Sequence, residues 1–483
     1  MMFNSIGFLV FFPIVVLLYF TLPHKYRNWM LLVASCIFYM SFIPVYILVL
    51  AATIVIDYFA AIYIDRSEGR RRKLFLVISI ISTCAVLFIF KYFNFFNTNI
   101  AYIADFFHWN YSVSSLKLLL PIGLSFHTFQ SLSYVIEVYR RRQAVEHNFW
   151  NYSLYVMFFP QLVAGPIERP QNLLHQFYEH HHFDYNRVTD GLKLMLWGFF
   201  KKIVIADRVA IVVNLVYNNP TDYSGAYLIL ATVFFAFQIY CDFSGYTDIA
   251  IGAAQVMGFK LMDNFNRPYF SASIAEFWRR WHISLSSWFK DYLYLPLGGS
   301  RVTLPRWYFN ILIVFVVSGL WHGANLTFLA WGMFHGLCVI FSSMTKQLRQ
   351  KLCLAAGCMK WPKAHLLAQA VLTFLLVTFG WIFFRANSLT DAFYIITHLF
   401  SNLKSTSLQI ITGFSGISRQ LLLLSFLFII FMELVHLLQQ HIKIRHFLSE
   451  KPLWLRWLIY LIILFSILIF GQFEQKEFIY FQF

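Results

Sequence analysis

The chain has 483 residues, 59% of them hydrophobic and only 12% charged, with a net charge of +16. So few polar residues cannot cover a soluble core of this size, which excludes a water-soluble globular protein and leaves an integral membrane protein. The basic residues are spread over many short segments instead of one module, which argues against a nucleic-acid partner.

Apolar runs of spanning length recur at about 5 to 22, 44 to 64, 74 to 96, 225 to 241, 311 to 341, 365 to 384, 420 to 438 and 454 to 472. They are continuous and do not alternate with period two, so helices are expected and not a barrel. Shorter or polar-interrupted segments near 29 to 42, 117 to 138, 150 to 164, 190 to 216 and 243 to 258 raise the total to roughly 10 to 13 helices and re-entrant pieces. The expected fold is an all-α polytopic membrane protein. With no repeat, linker or long hydrophilic stretch, residues 1–483 are read as one domain.

The first run lacks a preceding basic segment, and Lys25 and Arg27 follow it. That order predicts a permanent helix and not a cleaved signal peptide. Basic clusters at 70 to 73, 140 to 142, 201 and 202, 279 and 280, 346 to 351 and 443 to 445 are expected to mark cytoplasmic loops, with the N-terminus outside. Six cysteines, mostly within apolar segments and without CxxC spacing, predict neither a disulfide framework nor a zinc site. His180, His181 and His182 are consecutive on a polar loop, where three side chains rarely converge on one ion, so no metal is expected.

Ionisable groups inside spanning segments are costly and usually face a bundle interior or a cavity. Three stretches stand out. QIYCDFSGYTDIAIG (238–252) places Asp242 and Asp248 in an apolar run, where structural hydrogen bonding is expected. EFWRRWHISLSSWFKDYLYLPLGG (276–299) repeats Phe277, Trp278, Trp281, Leu285, Trp288 and Phe289 at spacings of three and four, the pattern of a helix at or dipping into the membrane interface. Its arginines and aromatics also suit an interfacial anchor. SGLWHGAN (318–325) puts His322 in a run that otherwise reads as spanning, beside Gly319 and Gly323, whose spacing permits close helix approach. GPIERP (165–170) predicts a bent, non-helical piece.

A neutral imidazole takes a proton from a hydroxyl and returns it, as acyl transfer requires. A site in the membrane also excludes the water that would hydrolyse an activated acyl group. From residues alone, acyl transfer, transport and haem ligation by paired histidines all remain open.

EFWRRWHISLSSWFKDYLYLPLGGSR together with SGLWHGANLTFLAWGMFHG resembles the signature region of the membrane-bound O-acyltransferase family. LPIGLSFHTFQSLSYVIEVYR, MFFPQLVAGPIERP, GFFKKIVIADRVA, YCDFSGYTDIAIG with MGFKLMDNFNRPY, and the terminal FIYFQF extend the similarity over nearly the whole chain, toward the branch that O-acetylates alginate and peptidoglycan in bacteria. The resemblance implies a ring of helices around a central tunnel. It also implies an acyl donor on the cytoplasmic side and delivery to an acceptor on the other. On it, His322 is the general base and His282 lines the tunnel. Trp321, Asn325, Trp281 and Ser284 are expected to shape the pocket, Asn325 lying at helical spacing near the face of His322, and Arg279, Arg280 and Lys290 to meet donor phosphates.

The same resemblance implies a multi-pass protein of the bacterial inner membrane. No tightly bound cofactor is expected, and acetyl-CoA is the expected donor. The acceptor would be an extracytoplasmic glycan, served with a separate periplasmic or surface-anchored partner, although the fold also supports D-alanyl transfer. Tyr480 in the terminal FIYFQF is read as packing, with a transient acyl acceptor as its sharper alternative.

Overall fold

In a computed structural model of the chain, residues 1–163, 165–412, 418–473 and 478–479 are described. Every regular element among them is helical. Among the described residues, eight helices are long and apolar enough to cross a membrane: Tyr46–Arg66, Gly69–Phe106, Ala226–Met257, Leu304–His322, Leu326–Met344, Pro362–Arg385, Arg419–Leu438 and Leu453–Phe470. Ile6–Thr21 is a shorter apolar helix, capped by the Ser5 hydroxyl accepting from the Phe8 amide at 3.2 Å. Hydrocarbon offers the backbone no hydrogen bonds, so each apolar run closes its own helical ladder. Leu423, Phe465, Leu468 and Ile469 are exposed, an arrangement that suits lipid and not water.

Helix boundaries differ from the sequence expectation in three places. The runs at 225 to 241 and 243 to 258 form one helix, Ala226–Met257, because the charge of Asp242 is met by a lysine and no break is needed. The run at 311 to 341 is two helices, Leu304–His322 and Leu326–Met344, separated at SGLWHGAN. The 276–299 stretch is also interrupted, into Ile274–Arg280 and Ile283–Phe289.

The described residues form two compact units. One comprises Met1–Met195 and Thr247–Met262. In it Leu124–Tyr139 packs against both Tyr46–Arg66 and the first half of Gly69–Phe106. The buried Asp57 carboxylate accepts from Ser79 Oγ at 2.7 Å and Thr83 Oγ1 at 3.0 Å, so hydroxyls from the neighbouring helix satisfy it. Arg72, assigned to a basic loop from the sequence, is buried and donates to the Val138 and Tyr139 carbonyls at 2.9 Å each.

GPIERP is non-helical through 166–169, as expected, and Pro170 opens the short helix Pro170–Leu173. Its Glu168 is fully buried, with Oε1 accepting from the Met262 amide at 2.5 Å and its carbonyl from Tyr155 Oη at 2.9 Å. Irregular backbone at this point is therefore tied down by protein groups. Of the histidine triplet, His180 and His182 are exposed while His181 is buried against Phe259.

The other unit comprises Leu196–Tyr246 and Asp263–Ile479 and contains both signature histidines. Its Leu304–His322 and Leu326–Met344 helices form a tight hairpin. A methyl group on Gly319 would fall 2.3 Å from the Phe328 carbonyl oxygen, and one on Gly332 2.3 Å from that of Phe315. Glycine at both positions is what lets the backbones touch. Pro362–Arg385 packs onto this hairpin and stacks Trp381 on Trp331, with ring centroids 5.9 Å apart and planes 19° apart.

Candidate active site

His322 is the last residue of the Leu304–His322 helix. Gly323 continues in extended backbone, and Asn325 begins the next helix with its side chain accepting from the Thr327 amide at 3.0 Å. The expected helical register between His322 and Asn325 therefore does not exist, and Asn325 acts as an N-cap that also donates to the Asn387 carbonyl. Gly323 has its own reason: a methyl group there would overlap the Phe328 ring at 2.1 Å.

The His322 ring is 3% exposed and enclosed by aromatic faces. Its centroid lies 5.0 Å from Trp331, 5.3 Å from Phe384 and 4.9 Å from Trp321. Such a wall excludes water.

His282 sits at the break between Ile274–Arg280 and Ile283–Phe289, with φ +43° and ψ 57°. A non-glycine residue in the left-handed region costs on the order of 1–2 kcal/mol, so the surrounding structure must hold it there. Asn264 supplies that hold. Its carbonyl accepts from the Ile283 amide at 2.9 Å and its side-chain oxygen from the Ser284 amide at 3.2 Å, satisfying the helix start that His282's side chain does not cap. Across the break, the start of the preceding helix is capped by the Ser273 hydroxyl, which accepts from the Glu276 amide, while the Glu276 carboxylate accepts from the Ala272 amide.

The His282 ring is 1% exposed and meets Phe243 edge-on at 4.6 Å. It lies outside the spanning helices, and burial pushes its imidazole down to about 3, so it is neutral at physiological pH. A further aromatic neighbour is Trp321 at 6.0 Å. One buried indole thus touches both histidine rings, and residues forty apart in the sequence meet on it.

The aromatic stripe of the 276–299 stretch is core and not an interfacial anchor. Phe277, Trp281, Leu285, Trp288 and Phe289 are all buried. Trp281 packs on Trp381 at 5.1 Å and Phe265 at 5.1 Å, and Ser284 is fully buried one residue beyond Ile283.

The membrane-bound O-acyltransferase family model matches residues 139–388, which include both histidines and Trp321. A protein of Pseudomonas aeruginosa named "Probable alginate O-acetylase AlgI" is 38% identical over 406 residues, covering 83% of this chain and 75% of the relative. The chain belongs to the membrane-bound O-acyltransferase family. A peptidoglycan O-acetyltransferase of Helicobacter pylori is 34% identical over 426 residues, 81% of this chain and 78% of that one. A teichoic acid D-alanyltransferase of Bacillus subtilis is 26% identical over 285 residues, 56% of this chain and 69% of that one.

As a membrane-bound O-acyltransferase the protein is an enzyme and a multi-pass membrane protein, and the haem and transporter readings fall away. The charged residues divide by surroundings. Arg279 and Lys290 are exposed, whereas Arg280 pairs with Glu276 at 2.5 Å one turn earlier. Asp242 has the structural role expected of it: its carboxylate bonds Lys202 Nζ at 2.7 Å and accepts the Ile479 amide at 2.8 Å. Asp248 is half-buried on the same helix.

Lys201 and Lys202, taken from the sequence as a loop cluster, are buried. Lys202 also bonds Asp207 at 2.9 Å, and Lys201 donates to Ser244 at 2.9 Å. Opposite charges and a hydroxyl make that burial tolerable.

Sequence reasoning passed over Asn264 and His335. His335 is fully buried against Trp278 at 5.0 Å and Trp331 at 5.2 Å, and neither ring nitrogen has a hydrogen-bond partner among the described residues. The FHG that follows SGLWHGAN was the available signal. Tyr480 lies outside the described residues.

Proposed function

We propose that this enzyme moves an acetyl group from a cytoplasmic donor, acetyl-CoA, to the hydroxyl of an extracytoplasmic polysaccharide, alginate or another cell-envelope glycan. His322 acts as general base. The observation that carries the reading is the meeting of two buried imidazoles on the Trp321 indole. Relatives named for O-acetylation at 34% and 38% identity supply the acyl group and the class of acceptor.

In the proposed step the acceptor oxygen attacks the thioester carbonyl carbon as His322 takes the hydroxyl proton. The new C–O ester bond forms, the C–S bond breaks, and the imidazole returns the proton to the departing thiolate. The aromatic wall of Trp321, Trp331 and Phe384 keeps water from competing with the acceptor. His282 stays neutral beside the same indole and orients the acyl group in passage. Arg279 and Lys290 meet the donor's phosphates.

The site is assigned to the bacterial inner membrane, and a separate periplasmic or surface-anchored partner completes delivery to the glycan. Residues 1–483 act as one domain.

Reconstitution with labelled acetyl-CoA tests the reading. Wild-type protein is expected to transfer label to acceptor, and His322→Ala to lose transfer by at least about 100-fold while remaining folded. Equal handling of label by the two proteins would remove His322 as base. Transfer of D-alanyl but not acetyl groups would replace the donor and leave the site. Full-rate glycan acetylation by the purified chain alone would remove the partner.

A further inference from the structure

Cys353, Cys358 and His365 belong to three elements: the Lys346–Ala355 helix, the single turn Cys358–Lys360 and the first turn of Pro362–Arg385. Gly357, at φ +66°, reverses the chain between the first two. This fold-back brings two thiols and an imidazole together, with their ligand atoms all within 4.8 Å of one another. Cys353 Sγ lies 3.7 Å from His365 Nε2. Tetrahedral zinc, with Zn–S of about 2.3 Å and Zn–N of about 2.0–2.1 Å, requires sulfur and nitrogen ligands about 3.6 Å apart. The two atoms already have the spacing of neighbouring ligands.

We propose that Cys353, Cys358 and His365 bind a zinc ion. Two thiolates and an imidazole favour a borderline-soft divalent ion over magnesium or calcium, which take oxygen ligands. All three residues are half-buried, so the ion is reachable from water, and a water or an added thiol completes its shell. The basic run from Lys346 to Lys351 precedes the site and assigns it to the cytoplasmic side, where thiols stay reduced. The spacing Cys-x4-Cys-x6-His follows none of the common zinc patterns, which is why the sequence predicted no site. The ion clips together the connection between Leu326–Met344 and Pro362–Arg385, the helices that contribute Trp331 and Phe384 to the wall around His322. The proposal does not depend on the identity of the acyl group.

The test uses full-length protein purified in detergent without a histidine tag. Metal analysis after desalting is expected to find about one zinc per chain, reduced about tenfold or more in Cys353→Ser/Cys358→Ser and retained in Cys36→Ser/Cys84→Ser. Should the double variant fail to fold, alkylation of wild-type protein gives the same answer. Added Zn2+ is expected to protect Cys353 and Cys358, and a chelator to restore their labelling. Equal labelling with and without Zn2+, or a Cys353–Cys358 disulfide in protein purified under reducing conditions, would overturn the proposal.

Discussion

Replacing Gly319 by alanine sets helix propensity against packing. Propensity alone favours alanine at an interior helical position by about 1 kcal/mol. Here the new methyl carbon would sit 2.3 Å from the Phe328 carbonyl oxygen, whereas ordinary contact begins at 3.4 Å. The obstacle is backbone, with no rotamer to turn aside, so the hairpin must part by about 1 Å. Overpacking of this kind costs about 1–3 kcal/mol, leaving a net loss of up to about 2 kcal/mol after the propensity gain. His322 is three residues further along the same helix and packs on Trp331 of the other. A misplacement of about 1 Å at a reacting group costs on the order of 100-fold in rate. Thermal unfolding in detergent, run beside acyl transfer at saturating donor, measures both effects. The expected result is a lower midpoint with turnover down about 10- to 100-fold, and Gly332→Ala should behave alike. A Gly319→Ala protein with a raised midpoint and full activity would refute the reasoning, since propensity would then outweigh the contact.

Removing Lys202 as Lys202→Met leaves the buried Asp207 and Asp242 carboxylates without their cation and should cost about 3–5 kcal/mol. Adding Asp207→Asn and Asp242→Asn should recover much of the lost melting temperature, and an unchanged midpoint in the single variant would sink the ion-pair account. At position 282 asparagine should give a more stable protein than valine by at least about 1 kcal/mol, because a β-branched residue resists φ +43°, even though the site is buried. Equal stability of the two would show that the left-handed backbone is not what restricts this position. Arg279→Gln and Lys290→Gln should each raise the KM for a phosphate-bearing donor by about fivefold with little change in kcat, as for loss of one charge-assisted contact of about 1 kcal/mol. Unaltered KM in both would leave these residues as surface charge alone.

The sequence announced its membrane class and most of its helices, because spanning length and continuous apolarity are properties of the chain itself. The two histidines were legible as well, since an imidazole in an apolar run is anomalous wherever it ends up. The breaks beside them were not. Helical spacing continues through Trp281 and His282, and the break is made by a distant segment: the Asn266 amide takes the Arg280 carbonyl at the end of one helix, and Asn264 receives the Ile283 and Ser284 amides at the start of the next. The Lys201–Lys202 pair looked like loop charge because part of what receives it comes from another helix: Asp242, with Asp207, meets Lys202, and Ser244 meets Lys201. Asn325 looked like a neighbour of His322 on one face, when it is the cap of the following helix. In each case the missing information is long-range: which group receives an amide or a charge that the local pattern leaves over.

The left-handed backbone at His282 bears on how variation among related chains is to be interpreted. A position there admits few residue types for conformational reasons alone, with glycine, asparagine, aspartate and histidine the ones that enter the region readily. His322 ends an ordinary helix, where almost any side chain fits the backbone. Invariance at 322 would therefore report selection on chemistry. The same invariance at 282 would mix chemistry with geometry, and relatives that carry asparagine or glycine there would separate the two.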